Sequence, residues 1–381
     1  MEPILLWQQK WGLSLHIPWY LFLGGLAGGT MTLAAVADLV TGTRKRYEYF
    51  ARVSAYLTPP VIIVGGLFLT FHLGKPERGF AFPLFFTNYQ SWMTIGGWIL
   101  GAFAPLSLAY AAAWYFHLDR RLRLVMAVLG IPLGILMSLY TGFLLSAAWA
   151  VPGGRWYVPL WDKTYLPVLF VLSGFSTALG ACGLAAGIAG GVAARLPWIR
   201  AGGGMPEETW AVAEVASRAD LVAVLAEGAW VYVFLASLGA GTLGQQLAFN
   251  LLTRGDLAAW FWWGFVATGL AAPLLAGLIH VIGERLLHAR MGWILYAEFA
   301  LLLVGGLMLR YIVVWGGDMK APLTFPPSMW PVPGVTLARS GTGTGGLSTF
   351  FVQSHPSPWL PWQSTHFSRY SSRPFRTSPL D

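Results

Sequence analysis

Charged residues make up only 10% of this 381-residue chain, so the few positions able to do chemistry stand out against their surroundings. His72-Leu73-Gly74-Lys75-Pro76-Glu77-Arg78 crowds three charges and a histidine between two apolar runs. Charge at the mouth of a membrane bundle handles something at the water boundary. A second set consists of Asp38, Asp220, Glu227, His280, Glu284 and Glu298, inside apolar runs or at their ends. His280 and Glu284 are four apart and share a helical face. Ionisable groups within membrane spans are costly, face inward and are functional candidates by default, and these types exchange protons. The expected chemistry is a proton path. Asp38, Asp220 and Glu284 fit equally well as helix-end residues in water, whereas Glu227, Glu298 and His280 are harder to place there. Arg310, deep in the last apolar run, needs a carboxylate or carbonyl partner. His16 and Tyr20 lie one turn apart and can share a face.

The elements that must position these residues are membrane helices. Hydrophobic residues reach 56% and aromatics 15%, and a soluble domain would carry roughly a quarter charged residues. Apolar runs of about 20 residues recur, each long enough to cross a hydrocarbon core of about 30 Å. The pattern predicts an all-α integral membrane protein of eight transmembrane helices, over about 17–40, 52–72, 91–116, 124–149, 164–193, 219–250, 258–287 and 292–316. The 20 Trp and 14 Tyr, many near run ends, suit interfacial belts. Gly24/Gly28 and Gly25/Gly29 form two overlapping small-xxx-small pairs, expected at a close helix crossing. Pro59, Pro60, Pro105, Pro132 and Pro273 are expected to kink their spans.

Lys and Arg divide twelve to six between the two sets of loops. The positive-inside rule then places both termini on the outer side and the His72–Arg78 hairpin with them. The basic excess, 24 against 16, follows from such loop charges and needs no nucleic acid to explain it. No short Lys/Arg-led apolar segment with a small-residue cleavage site opens the chain, so the first span is expected to be retained. Residues 1–320 read as the membrane domain. Residues 321–381, rich in Pro, Ser, Thr and Gly, read as an extramembrane, disordered tail. The lone Cys182 rules out a disulfide framework, or a Cys-ligated iron–sulfur cluster held by this chain alone. A b-type haem would need paired axial histidines inside helices; His16 and His72 lie near span ends, and His280 has no partner at matching depth. Buried carboxylates and broken helices would also suit a proton-coupled transporter. Such proteins usually carry internal repeats, and the two halves show no obvious sequence echo.

Four segments together resemble the NrfD / polysulfide reductase membrane-subunit family: Trp19-Tyr20-Leu21-Phe22-Leu23-Gly24-Gly25-Leu26-Ala27-Gly28-Gly29, the His72–Arg78 hairpin, Ser91-Trp92-Met93 with Gly97-Trp98-Ile99-Leu100, and Tyr140-Thr141-Gly142-Phe143-Leu144-Leu145. They span roughly residues 17–317. The resemblance implies a multi-pass subunit of a prokaryotic inner membrane, holding neither haem nor metal. It implies that the chain binds menaquinone or ubiquinone near the outer face. Electrons would pass to or from a ferredoxin-like iron–sulfur subunit, within a complex whose other catalytic subunit carries molybdopterin or a related centre. Tyr140 matches a quinone-contacting tyrosine of the family, and on helix one the corresponding residue is Tyr20 or His16. His72 and Arg310 are further quinone-site candidates. Lys75, Glu77 and Arg78 are candidates for docking the partner, and Asp38, Glu227, His280, Glu284 and Glu298 for proton transfer.

Overall fold

A computed structural model describes residues 16–40, 45–72, 91–146, 158–195, 206–287 and 292–318. Among these residues the secondary structure is entirely helical. Hydrocarbon offers no partner for backbone N–H or C=O groups, so each crossing segment must satisfy its own, and a helix does this within itself. The helices are α1 (His16–Val40), α2 (Lys45–His72), α3 (Trp92–Tyr115), α4 (Arg120–Ser146), α5 (Leu166–Arg195), α6 (Pro206–Gly239), a short α7 (Leu243–Thr253), α8 (Ala272–Leu287) and α9 (Gly292–Asp318). A π-helical stretch, Trp260–Ala271, runs directly into α8 and makes one span with it. Among the described residues eight helices are long and apolar enough to cross a membrane, as the hydropathy pattern predicts.

The packing order repeats. Helix α1 lies against α2 and α4, and α3 against α4; α5 lies against α6 and α9, and the π-helical span against α9. The two four-helix sets meet along α1 and α5. The repeat that the sequence does not show is therefore present in the order of contacts. Helix α1 is the hub: 89% of its most apolar window is buried, against 28% for α3, α4 and α6. Only very small residues let four neighbours reach one helix. A Cβ on Gly174 of α5 would stand 2.8 Å from the Gly25 carbonyl oxygen, and one on Gly28 would meet the backbone of α4 at Ser138. Ser138 Oγ donates to the Gly25 carbonyl at 3.1 Å across that contact. The glycine run of α1 is thus occupied by helix packing.

Several boundaries differ from the sequence reading, and α2 begins at Lys45 instead of about 52, taking Lys45, Arg46 and Arg52 from the expected loop into the helix. The sixth span starts earlier, at Pro206, and stops at Gly239 instead of running to 250. Thr242 and Gln245 form a capping box, with Thr242 N donating to Gln245 Oε1 at 2.8 Å, and this starts the separate helix α7. In the seventh span, Pro273 lacks the N–H that an α-turn would use. The ladder ahead of it runs at the wider i−5 spacing, with the Ala272 N–H bonded to the Ala267 carbonyl. Pro59, Pro60, Pro105 and Pro132 do sit inside helices.

Replacing Gly28 by Val should separate α1 from α4. We expect a loss of about 1–3 kcal/mol, typical of overpacking, seen as a lower thermal midpoint of the detergent-solubilised protein. Val in place of Gly66, which has open space beside it, should leave that midpoint nearly unchanged.

Candidate functional site

Tyr20 stands in the second turn of α1 and Tyr140 about two turns before the end of α4, so antiparallel packing brings both to the same end of the bundle. They are 1% and 3% exposed, and their hydroxyls lie side by side. The Tyr20 hydroxyl has no hydrogen bond of normal geometry in this position. The Tyr140 ring lies directly on Gly96 of α3, where any Cβ would fall inside the ring. Two aromatic ring pairs involve residues close in sequence to Tyr20 and Tyr140. Trp92 stacks on Phe143 at 4.3 Å, and Trp19 on Phe68 of α2 at 6.0 Å. His16, half-buried one turn before Tyr20, tilts against Phe68 at 6.2 Å. Two adjacent buried phenolic O–H groups can hydrogen-bond the oxygens of a planar ligand. A cavity between α5, α6, α7, the π-helical stretch and α9 is unlike this: at about 20 Å³ and wholly apolar, it is walled by Leu169, Phe234, Phe265 and Leu309 among others. It has no room for a ring.

The second constellation is a buried polar chain along α5, α6 and α9. Arg310 of α9 is fully buried. It donates to Ser173 Oγ and, at 3.1 Å, to the Phe170 carbonyl, and its guanidinium lies 4.7 Å over the Phe170 ring. Glu227 of α6 couples electrostatically to Arg310 and bonds Ser173 and Ser176. Ser176 also bonds Asp220, which lies within electrostatic reach of Glu227 and Glu298. Glu298 of α9 accepts from Ser217 Oγ at 3.0 Å on both oxygens. Contacts run from Arg310 through Ser173, Glu227 and Ser176 to Asp220, and Glu298 with Ser217 stands within electrostatic reach of Asp220 without a hydrogen bond joining the two. His280 of α8 is 1% exposed and stands edge-on to Trp210 of α6 at 5.8 Å. Small polar residues at i, i+3 and i+4 on an apolar helix, Ser173, Ser176 and Thr177, are the signal that could have revealed the serine relays in advance.

Asp38 is engaged elsewhere. Fully buried at the far end of α1, it accepts from Tyr110 Oη at 2.9 Å and from Arg123 Nε at 3.0 Å. Arg123 lies over Trp114 at 3.6 Å. These contacts tie α1 to α3 and α4, and they set Asp38 in a cluster apart from Glu227 and Glu298. Arg310, by its partners, belongs with the carboxylate chain. Lys75, Glu77 and Arg78 lie outside the described residues. His72 ends α2 and Glu284 lies in α8, while their side chains are outside the described set.

Residues 7–322 match the family described as polysulphide reductase, NrfD. The chain belongs to that family. It is 27% identical over 327 residues to the C subunit of polysulfide reductase from Wolinella succinogenes, covering 78% of this chain and 92% of that protein. It is 26% identical over 337 residues to protein NrfD of Escherichia coli strain K12, covering 79% and 93% respectively. Eight apolar helices and family membership together make this a multi-pass membrane protein, of a family of redox-complex membrane subunits.

Arg310→Met should strongly destabilise the protein, by about 3–5 kcal/mol, because it leaves Glu227 buried without its cation. Adding Glu227→Gln should recover a large part of that loss. Thermal unfolding of the single and double variants reads the difference as an interaction energy.

Proposed function

We propose that this chain is the quinone-binding membrane subunit of a multisubunit oxidoreductase. It would exchange electrons between the membrane quinone pool and an iron–sulfur partner subunit. The observation that carries the reading is the buried meeting of Tyr20 with Tyr140, whose ring is seated on Gly96. A quinone presents two carbonyl oxygens on a flat ring, and the site offers two adjacent hydroxyl donors. The ring supplies the two-electron, two-proton chemistry when bound; the chain's own groups orient it, exclude water and hold protons at the two tyrosine oxygens. His16 and His72 stand at the same end of the bundle, as candidates to pass protons to the outer surface.

On this reading both ends of the chain face the outer side of a prokaryotic cytoplasmic membrane. A ferredoxin-like subunit would dock on Lys75, Glu77 and Arg78, which follow the end of α2 in sequence. A catalytic subunit of molybdopterin or similar type would lie beyond it. One cysteine in the whole chain means that any Cys-ligated cluster belongs to a partner. The carboxylates Glu227, Asp220 and Glu298, the first two sharing Ser176, support a proton half-path in the second four-helix set, with His280 and Glu284 toward its far end. A proton-coupled transporter would also use such carboxylates, but it gives the tyrosine pair no role.

Tyr140→Phe removes one hydroxyl and keeps the ring. It should weaken binding of a menaquinol analogue about fivefold, the worth of one hydrogen bond, while the melting temperature stays near wild type. A fluorescence-quench titration on membranes holding the assembled complex measures this; unchanged affinity removes Tyr140 from the site. Absence of any saturable binding there favours the transporter. Glu298→Gln should slow quinol turnover without releasing the partner, and normal turnover with normal proton stoichiometry would discard the half-path.

A further inference from the structure

Away from the tyrosine pair, at the end of the bundle where α1 finishes and α2 and α4 begin, two guanidinium groups share one indole. Arg123 lies 3.6 Å over the Trp114 ring and Arg52 lies 5.6 Å from it. The two are not equivalent. Arg123 is held by the buried carboxylate of Asp38, which is itself fixed by Tyr110. Among the described residues the one ion-pair partner of Arg52 is Glu48, one turn back at 3.9 Å, with both side chains well exposed, and an exposed pair of that kind is worth little. The Arg52 Nε is buried without a hydrogen-bond partner. Asp38 therefore balances one cation of the stack and leaves the other available.

Around Arg52 the surface is that of a lipid-facing interface. Tyr56, one turn deeper on α2, lies within electrostatic reach of both Arg52 and Tyr115 of α3. Tyr56 is 39% and Tyr115 67% exposed, and Phe116 stands edge-on to Tyr115 at 5.1 Å. Helices α2 and α3 pack against each other here. Two phenolic donors and a guanidinium thus lie close together at the end of two packed spans, with exposed Ile63 and Leu108 two turns farther along the same faces. A solvated aromatic belt has no reason to hold a second arginine and a buried aspartate behind its cation. A tetrahedral phosphate oxyanion with acyl chains attached does fit: guanidinium and hydroxyl donors take the oxygens, and the exposed apolar faces take the chains.

We propose that Arg52, Tyr56 and Tyr115 form a binding site for the phosphate of an anionic phospholipid. Trp114, Arg123, Asp38 and Tyr110 form the rigid backing that holds Arg52 in place. The site is independent of the quinone reading and survives its failure.

Native mass spectrometry of the delipidated full-length chain, titrated with phosphatidylglycerol or phosphatidylcholine, tests it. Wild type should retain phosphatidylglycerol in preference to phosphatidylcholine. Arg52→Gln should lower that preference about fivefold, the share of one basic group at an anionic surface. Arg120→Gln, an exposed arginine off the site, should leave it unchanged. Equal retention of both lipids overturns the proposal. So does an equal fall in the Arg120 variant, which means diffuse attraction only. Displacement of the lipid by a large excess of inorganic phosphate marks a free-anion site and also overturns it. Should Arg52→Gln fail to fold, the double variant Tyr56→Phe/Tyr115→Phe decides: a reduced preference supports the site, and an unchanged one rejects it.

Discussion

The close approach of backbones around α1 is the constraint on which the rest of the molecule depends. With no water inside a bilayer, helices gain little from hiding apolar surface from one another, and association rests on packing and interhelical hydrogen bonds. Glycines along α1 let α4 and α5 come within contact of its backbone, and Ser138 then reaches the Gly25 carbonyl. That closeness puts Tyr20 beside Tyr140 and brings Arg310 up to Gly25, where a Cβ would meet its Nη2 at 3.2 Å. Bulk at these positions would separate the elements that both polar systems require.

Buried charge is handled differently in the two halves. In the first set, Asp38 meets Arg123 directly and the pair is backed by Trp114 and Tyr110, a closed arrangement that locks helix ends together. In the second, one cation faces three carboxylates strung along serine hydroxyls. The first cluster pairs one acid with one base, whereas the second gathers more acids than bases around shared serines.

Much of this is legible in the residues. Eight spans follow from hydropathy, and the buried state of Glu227, Glu298, His280 and Arg310 follows from their positions within apolar runs. The partners are not legible, because they come from other helices: nothing near Asp38 in the chain announces Arg123, and nothing near Tyr140 announces Gly96 as its floor. The end of the sixth span is hidden because residues 243–253 are as apolar as a span, and only the capping of Thr242 by Gln245 divides them from it. The repeat of packing order is hidden for a related reason. Lipid-facing positions tolerate any apolar residue, so two halves can share an architecture without sharing letters.

Consecutive residues of α1 project about 100° apart and meet different neighbours. Gly24 faces Thr141 and Met137, beside the tyrosine pair, whereas Gly25 faces Arg310 and α5. A single helix thus acts as a septum between two polar compartments, with a thickness on the order of 10 Å. Across that distance at an effective dielectric constant near 20, a unit charge appearing on one side changes the energy of a charge on the other by about 2 kcal/mol. The partition is thick enough to keep the two sets of groups from exchanging hydrogen bonds. It is thin enough for each to sense the other's charge, with no moving part required.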